Sequence, residues 1–398
     1  MPGFPRLYAG LLLGRVSGTM VTVALVLFVL TRYRSPQLAG ATAFFAIFPG
    51  LLVSPLAGAL LDRKGRAGLV VLDYLLGAVS VGLIAVLSAL HSLPPVLLVI
   101  IVGISSLTNP LSSAGARTLF PILVPEELWE RANGLDSSGH VFSTLVGAPL
   151  AGTLVGLIGG EWALAAAGGL FVAAALVMIG LPDPPAATES HGHVLRNAWL
   201  GLKFVVQNPT LRGLAFTLSL LNFGWGVLDI AVPVLVLGRL HQGPATVGYL
   251  WGALGAAGLV SALLAGRVPT RGRERQIMLG GILVSAVAMA SLPFATSVVA
   301  VGIALVVLGF ANGPFDISFF TLRQRRTPPA WFGRAFAVSM SVNFVGTPIG
   351  SALAGTLIGH SLDVAFWSAV AVVLVAGIFP MLTIPASEKV AVPAEAAT

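Results

Sequence analysis

Twelve stretches of this chain are long and apolar enough to cross a lipid bilayer: 7–30, 38–60, 68–90, 94–116, 133–157, 162–181, 211–237, 245–266, 277–294, 297–320, 335–359 and 363–384. A hydrocarbon core is crossed by about 20 mostly apolar residues of helix. With no water there, each span has to satisfy its own backbone hydrogen bonds. The expected fold class is therefore all-α integral membrane, with twelve transmembrane helices. The first run is 24 residues long, against the roughly 7–15 apolar residues of a leader peptide, and is expected to stay as the first span. The overall content, 56% hydrophobic and 9% charged, agrees, since soluble domains hold roughly 45–50% apolar and 25% charged residues.

The segments between these runs alternate between basic and nearly charge-free. If both termini are cytoplasmic, 18 of the 22 Lys and Arg fall on the cytoplasmic side; Arg32, Arg34 and Arg239 fall outside, and Arg15 lies within the first span. That asymmetry sets the expected orientation, a multi-pass protein of the cell membrane with both termini inside. It also accounts for the net charge of +7, so no nucleic-acid partner is expected. The chain has no cysteine, which excludes disulfides, thiol catalysis and cysteine-held metals. It has no G-x-x-x-x-G-K-[ST] phosphate loop and no cluster of acids. His191 and His193 form an H-x-H pair without further ligands and read as solvated. Neither an enzyme nor a channel is expected, and no cofactor or metal.

The sequence also repeats. Residues 118–156 align without a gap on 321–359 at an offset of 203, with 14 identities in 39 positions, among them Pro125/Pro328, Arg131/Arg334, Gly147/Gly350 and the run LAGTL at 150–154 and 353–357. Asn109 and Asn312 fall at the same offset. Parallel repeats of this kind build two pseudo-symmetric six-helix halves. The expected division is 1–181, a cytoplasmic linker at 182–210, 211–384, and a disordered tail at 385–398. Within the linker, Leu195, Ala198, Trp199, Leu202 and Val205/Val206 share one helical face. This predicts an amphipathic helix lying on the membrane surface.

Between the second and third runs, Gly58 to Arg66 (GALLDRKGR) reads as a short charged loop. Gly58, Asp62, Arg63, Gly65 and Arg66 match G-x-x-x-D-R-x-G-R, and the chain here resembles the signature loop of the major facilitator superfamily. The second half keeps Gly272 and Arg273 but has Pro269 where Asp62 stands. The resemblance implies that Asp62 pairs across the cytoplasmic face near Arg334, at the start of span eleven, and latches the outward-open state. In span five, Gly147, Pro149 and Gly152 of GAPLAG resemble the antiporter motif of facilitator exporters, although Ala148 and Thr153 replace two glycines of its G-P-x-x-G-G core. Together with RANGLDSS (131–138) and LGLKFVVQNPTLRGL (200–214), this bend resembles the branch holding enterobactin exporters and macrolide and multidrug efflux proteins. The span-four arginine of many proton-coupled members is missing, because 94–116 contains no base.

An ionisable side chain at a span's centre costs at least about 2.5–3.5 kcal/mol. Arg15, Asp73, Asp136, His140, Asp229 and Asp316 therefore call for an account. Asp73 is expected to pair with the bases of the charged loop. Asp136 and His140, four residues apart, share a face of span five and form with Arg15 either a proton-coupling group or an interhelix lock. Asp229 is placed near the outer end of span seven and Asp316 near the inner end of span ten. With Asn109, Asn222, Trp225, Asn312 and Asn343 they are candidates for lining a substrate cavity that suits an amphipathic or aromatic solute better than a sugar. The expected function is secondary active transport by alternating access: proton-coupled efflux of hydrophobic or amphipathic small molecules. The alternative is metabolite uptake or lipid flipping by the same fold. The expected partners are a small-molecule substrate, membrane lipids and protons, and the protein is expected to be a monomer.

Overall fold

The computed structural model describes residues 3–123, 129–181, 194–267, 270, 272–328 and 332–384. It gives backbone alone for 55, 58–59, 62–64, 116–118, 120–123, 129–134, 137, 194–198 and 332–338. The expected tail at 385–398 and the His191/His193 pair lie outside the described residues.

The described chain is helical throughout: α1 (Phe4–Arg32), α2 (Pro36–Lys64), α3 (Ala67–Ala89), α4 (Pro95–Ser106), α5 (Asn109–Leu123), α6 (Trp129–Ile158), α7 (Gly160–Met178), α8 (Val194–Gln207), α9 (Pro209–Val234), α10 (Pro244–Ala265), α11 (Glu274–Ser291), α12 (Val298–Arg326), α13 (Phe332–Ile358) and α14 (Leu362–Thr383). Among the described residues, 12 helical spans are long and apolar enough to cross a membrane. Starts are written locally. Ser35, Asn208, Ser297 and Ser361 accept hydrogen bonds from the first turns of α2, α9, α12 and α14, and Pro36, Pro95, Pro209 and Pro244 stand where a missing N–H costs nothing.

Span four is broken. α4 ends at Ser106 and α5 begins at Asn109, because Pro110 supplies no N–H and its ring crowds the carbonyl one turn back. The Thr108 hydroxyl donates to the Ser105 carbonyl at the break. Span seven carries Pro233 and leaves its α geometry for a π turn at Leu235–Arg239.

Two expectations are corrected. GALLDRKGR is not mainly a loop: α2 continues through Lys64, since Ala57 and Leu61 still bury against Leu69 and Leu111, and only Gly65 and Arg66 turn. Gly65 sits at φ 89°, a backbone most side chains avoid, which is why the turn needs glycine. Its counterpart Gly272 has φ 77°. Span ten likewise runs to Arg326 rather than 320, because its last bases are accommodated: Arg325 pairs with Glu274 of α11, and Arg323 lies 6.0 Å over the Phe319 ring.

Helices α1 to α7 pack mainly among themselves, as do α9 to α14, and the main bridges between the two sets are α2 against α13 and α6 against α10. α8 lays Val205 against Leu211 and Ala215, leaving Trp199 exposed.

Candidate functional site

A cavity of ≈ 220 Å³ lies within the second helix set, between α9, α11 and α12. Leu218, Leu221, Asn222 and Trp225 line it from α9, Gly281, Ile282, Ser285 and Met289 from α11, and Asn312, Phe315 and Asp316 from α12. Helical spacing places 218, 222, 225 and 229 on one stripe, so Asp229 continues the lining stripe one turn beyond Trp225. Asp316 is solvent-accessible although it lies ten residues from the end of α12, about 15 Å at 1.5 Å per residue. It thus lies in the C-terminal half of α12, the half that ends on Arg323, Arg325 and Arg326. Neither Asp316 nor Asp229 has a hydrogen-bond or ion-pair partner among the described residues. No base lines the cavity.

Asn222, Trp225, Asn312 and Asp316 are thus brought together. Asn343 is fully buried behind them: its backbone carbonyl accepts from the Asn222 amide at 2.8 Å, and its own side-chain oxygen has no partner. Asn109 is exposed on α5, at the repeat position of Asn312. Neither Phe223, whose backbone meets Gly350 of α13, nor Phe310, which borders a separate groove, is among the cavity's lining residues. Ser285 and Met289 were not legible as lining residues, since span nine carries no ionisable group to mark its inner face.

In the first helix set Arg15 and Asp136 are spent on each other. The Arg15 guanidinium donates to the Asp136 carboxylate at 2.5 Å and to the Asp136 carbonyl at 2.9 Å, both side chains 14% exposed. It lies over Gly139, where a Cβ would come within 3.0 Å of it. His140, one turn on, is exposed. Asp73, expected to pair with the bases of the charged loop, is instead buried beside the hydroxyls of Thr108 and Ser112, at the break in span four.

The two bridges between the sets sit at the end of the bundle opposite the termini, where α2 and α10 begin and α6 and α13 end. They are built alike. A Cβ on Gly152 of α6 would lie 2.7 Å from the Pro244 carbonyl, and one on Gly355 of α13 would lie 2.6 Å from the Pro36 carbonyl. In return Gly248 faces the Ala148 carbonyl and Gly40 faces the Ser351 carbonyl. The repeated LAGTL run thus meets a P-x-x-x-G pattern, Pro36–Gly40 or Pro244–Gly248, in both seams. Pro149 covers Gly252 in the same seam, while Gly147 packs on Val16 and Thr19 of α1. Small residues let backbones approach this closely in a membrane.

At the other end, Gly58 and Asp62, Arg63 and Lys64 fall in the last turns of α2 and Arg334 in the first turn of α13; their side chains lie outside the described residues. Arg66 leads directly into α3.

Comparison with known proteins places the chain. The family model described as Major Facilitator Superfamily matches residues 7–347 and 214–397. An uncharacterized MFS-type transporter of Sinorhizobium fredii is 40% identical over 92% of this chain and 91% of its own length. The multidrug efflux pump Tap of Mycolicibacterium fortuitum is 26% identical over 88% of each chain, and the enterobactin exporter EntS of Shigella boydii 28% over 81% of this chain and 77% of its own. Among solved structures, the nucleoside transporter NupG superposes with a TM-score of 0.77 at 13% identity, covering 96% of this chain and 99% of that one. A bacterial homologue of the iron transporter ferroportin in its inward-facing state scores 0.74 at 16% identity, covering 97% and 98%.

Proposed function

The chain belongs to the major facilitator superfamily, and from that premise we propose that it exports hydrophobic or amphipathic small molecules in exchange for protons, by alternating access. The observation that carries the reading is the pair of matched seams. Glycine-to-backbone contacts close one end of the bundle on both sides of the pseudo-symmetry axis, and such packing has discrete closed and open arrangements rather than a continuum. With the termini cytoplasmic, as the basic loops favour, the sealed end is the outer one and the conformation is inward-facing. A substrate then enters the cavity beside Asn222, Trp225, Asn312 and Asp316 from the cytoplasm or the inner leaflet. It leaves when the seams open and the inner face closes under Asp62 and Arg334.

Export rather than uptake is supported by Tap and by the enterobactin exporter, which resemble this chain along most of its length. The nucleoside transporter resembles it in fold alone. For protons, Arg15, Asp136 and His140 remain the proposed coupling group: protonation of Asp136 would free Arg15 from its main partner and let α1 move against α6. The mixed polar and apolar lining suits an amphiphile that needs few hydrogen bonds.

Proteoliposomes with a preset pH gradient test this. Addition of an amphipathic drug is expected to dissipate the gradient only where the protein is present. No gradient loss with any compound of a lipophilic panel would overturn the reading.

A further inference from the structure

Resting on the export reading, we infer that the molecule this cavity accepts is a cation, a lipophilic amine or onium ion whose charged head sits against Asp316. The charges of the two helix sets are not equivalent. Arg15 and Asp136 neutralise each other, whereas the cavity between α9, α11 and α12 holds Asp316 with no base among its lining residues. The nearest base along α12 in the inward direction is Arg323, two turns on. It is only 2% exposed and sits over the Phe319 ring, so it does not open into the cavity. Asp229, on the lining stripe of α9, adds a second acid and no base.

A carboxylate kept inside a span without a counter-ion is expensive, and its charge is complementary to one sign of ligand only. An anion entering here meets uncompensated repulsion at low dielectric, while a cation supplies the missing partner. The remaining lining fits such a head. Asn222 and Asn312 offer amide carbonyls to an N–H or to a polarised N–CH₃, Trp225 offers an aromatic face to a cation, and Leu218, Leu221, Ile282 and Met289 cover its carbon atoms. The volume of ≈ 220 Å³ suits a head with a few carbons or one ring, so the rest of a larger amphiphile extends along the α9 stripe toward Asp229.

The test is equilibrium binding of labelled benzyltrimethylammonium to the purified full-length protein in nanodiscs, with benzylsulfonate as the matched anion. The onium ion is expected to bind and the sulfonate neither to bind nor to compete. Asp316→Asn is expected to weaken binding at least about 10-fold, the scale of one lost charge-assisted contact, and Asp316→Glu to recover most of it. Thermal unfolding of each variant shows that the fold is kept. Unchanged onium binding in a folded Asp316→Asn protein overturns the assignment of the head to this carboxylate. Proton flux driven by neutral or anionic amphiphiles but by no cation overturns the cation while leaving export standing. Silence to compounds of every charge removes both readings.

Discussion

Spans five and eleven come from one repeated segment, yet Asp136 and His140 of the first stand where the second has Ser339 and Asn343. In the first, the acid is tied to Arg15 and the imidazole is exposed. In the second, both side chains are buried and neutral, and the acids within the spans are instead Asp316 on α12 and Asp229 on α9. The C-terminal ends of the same two spans do not diverge: Gly152 and Gly355 close on Pro244 and Pro36 in the same way. What the repeat preserves is the closure, which needs geometry from both halves at once. What it lets go is the chemistry, which needs a proton or ligand site in only one place.

The sharpest way to break that comparison is at its shared part. Gly152→Leu and Gly355→Leu are each expected to abolish transport, because even a Cβ would come within 2.7 and 2.6 Å of a facing carbonyl and the backbones cannot yield without opening the seam. Equal loss in both variants, at normal membrane abundance, is the expected outcome of a substrate efflux assay. Loss in one alone would show that the seams are not equivalent.

The divergent parts differ in stability. Asp136→Asn leaves Arg15 without its counter-charge and is expected to cost about 3 kcal/mol, read by denaturant or thermal unfolding in detergent. The double variant Arg15→Met/Asp136→Leu recovers most of this. Asp316→Asn is expected to raise the unfolding midpoint, since it removes an acid that has no partner in the fold. A rise in both single variants, or a fall in both, would erase the distinction between an acid neutralised by Arg15 and an acid without a base.

Asp62→Asn is expected to lower transport several-fold with little change in abundance, measured by initial efflux rates against immunoblot, since only the first half carries this acid. The smallest effect belongs to His140→Ala, expected to flatten the pH profile of transport through the range where imidazoles titrate. An unchanged profile returns Asp136 and His140 to a purely structural lock.

The spans were legible because a bilayer allows so few solutions: 20 apolar residues in a row have to be a helix. Their ends were less so. Apolar content stopped at 320 in span ten, but Arg323 and Arg325 found an aromatic ring and Glu274, so the helix continued to Arg326. Gly58–Lys64 looked like a loop because it is charged, yet Ala57 and Leu61 kept it helical until Gly65. Asp316, Asn222, Asn312 and Trp225 stood out in sequence through polarity and size. Ser285 and Met289 did not, because an unremarkable serine in an apolar run gives no sign of the face it occupies. The LAGTL repeat was visible, but its partner pattern at Pro36 and Pro244 acquires meaning only once the backbones are seen to touch.

The central claim is that the two seams part and re-form in each transport cycle. The chain has no cysteine, so Gln37→Cys with Gly359→Cys, positions that the end of the Gln37 side chain joins across the α2–α13 seam, can be bridged without background by a short thiol-specific reagent that reduction releases. Transport by the bridged pair in proteoliposomes is the decisive measurement. Efflux at background level that returns on reduction is expected; full transport with the bridge intact would contradict seam opening.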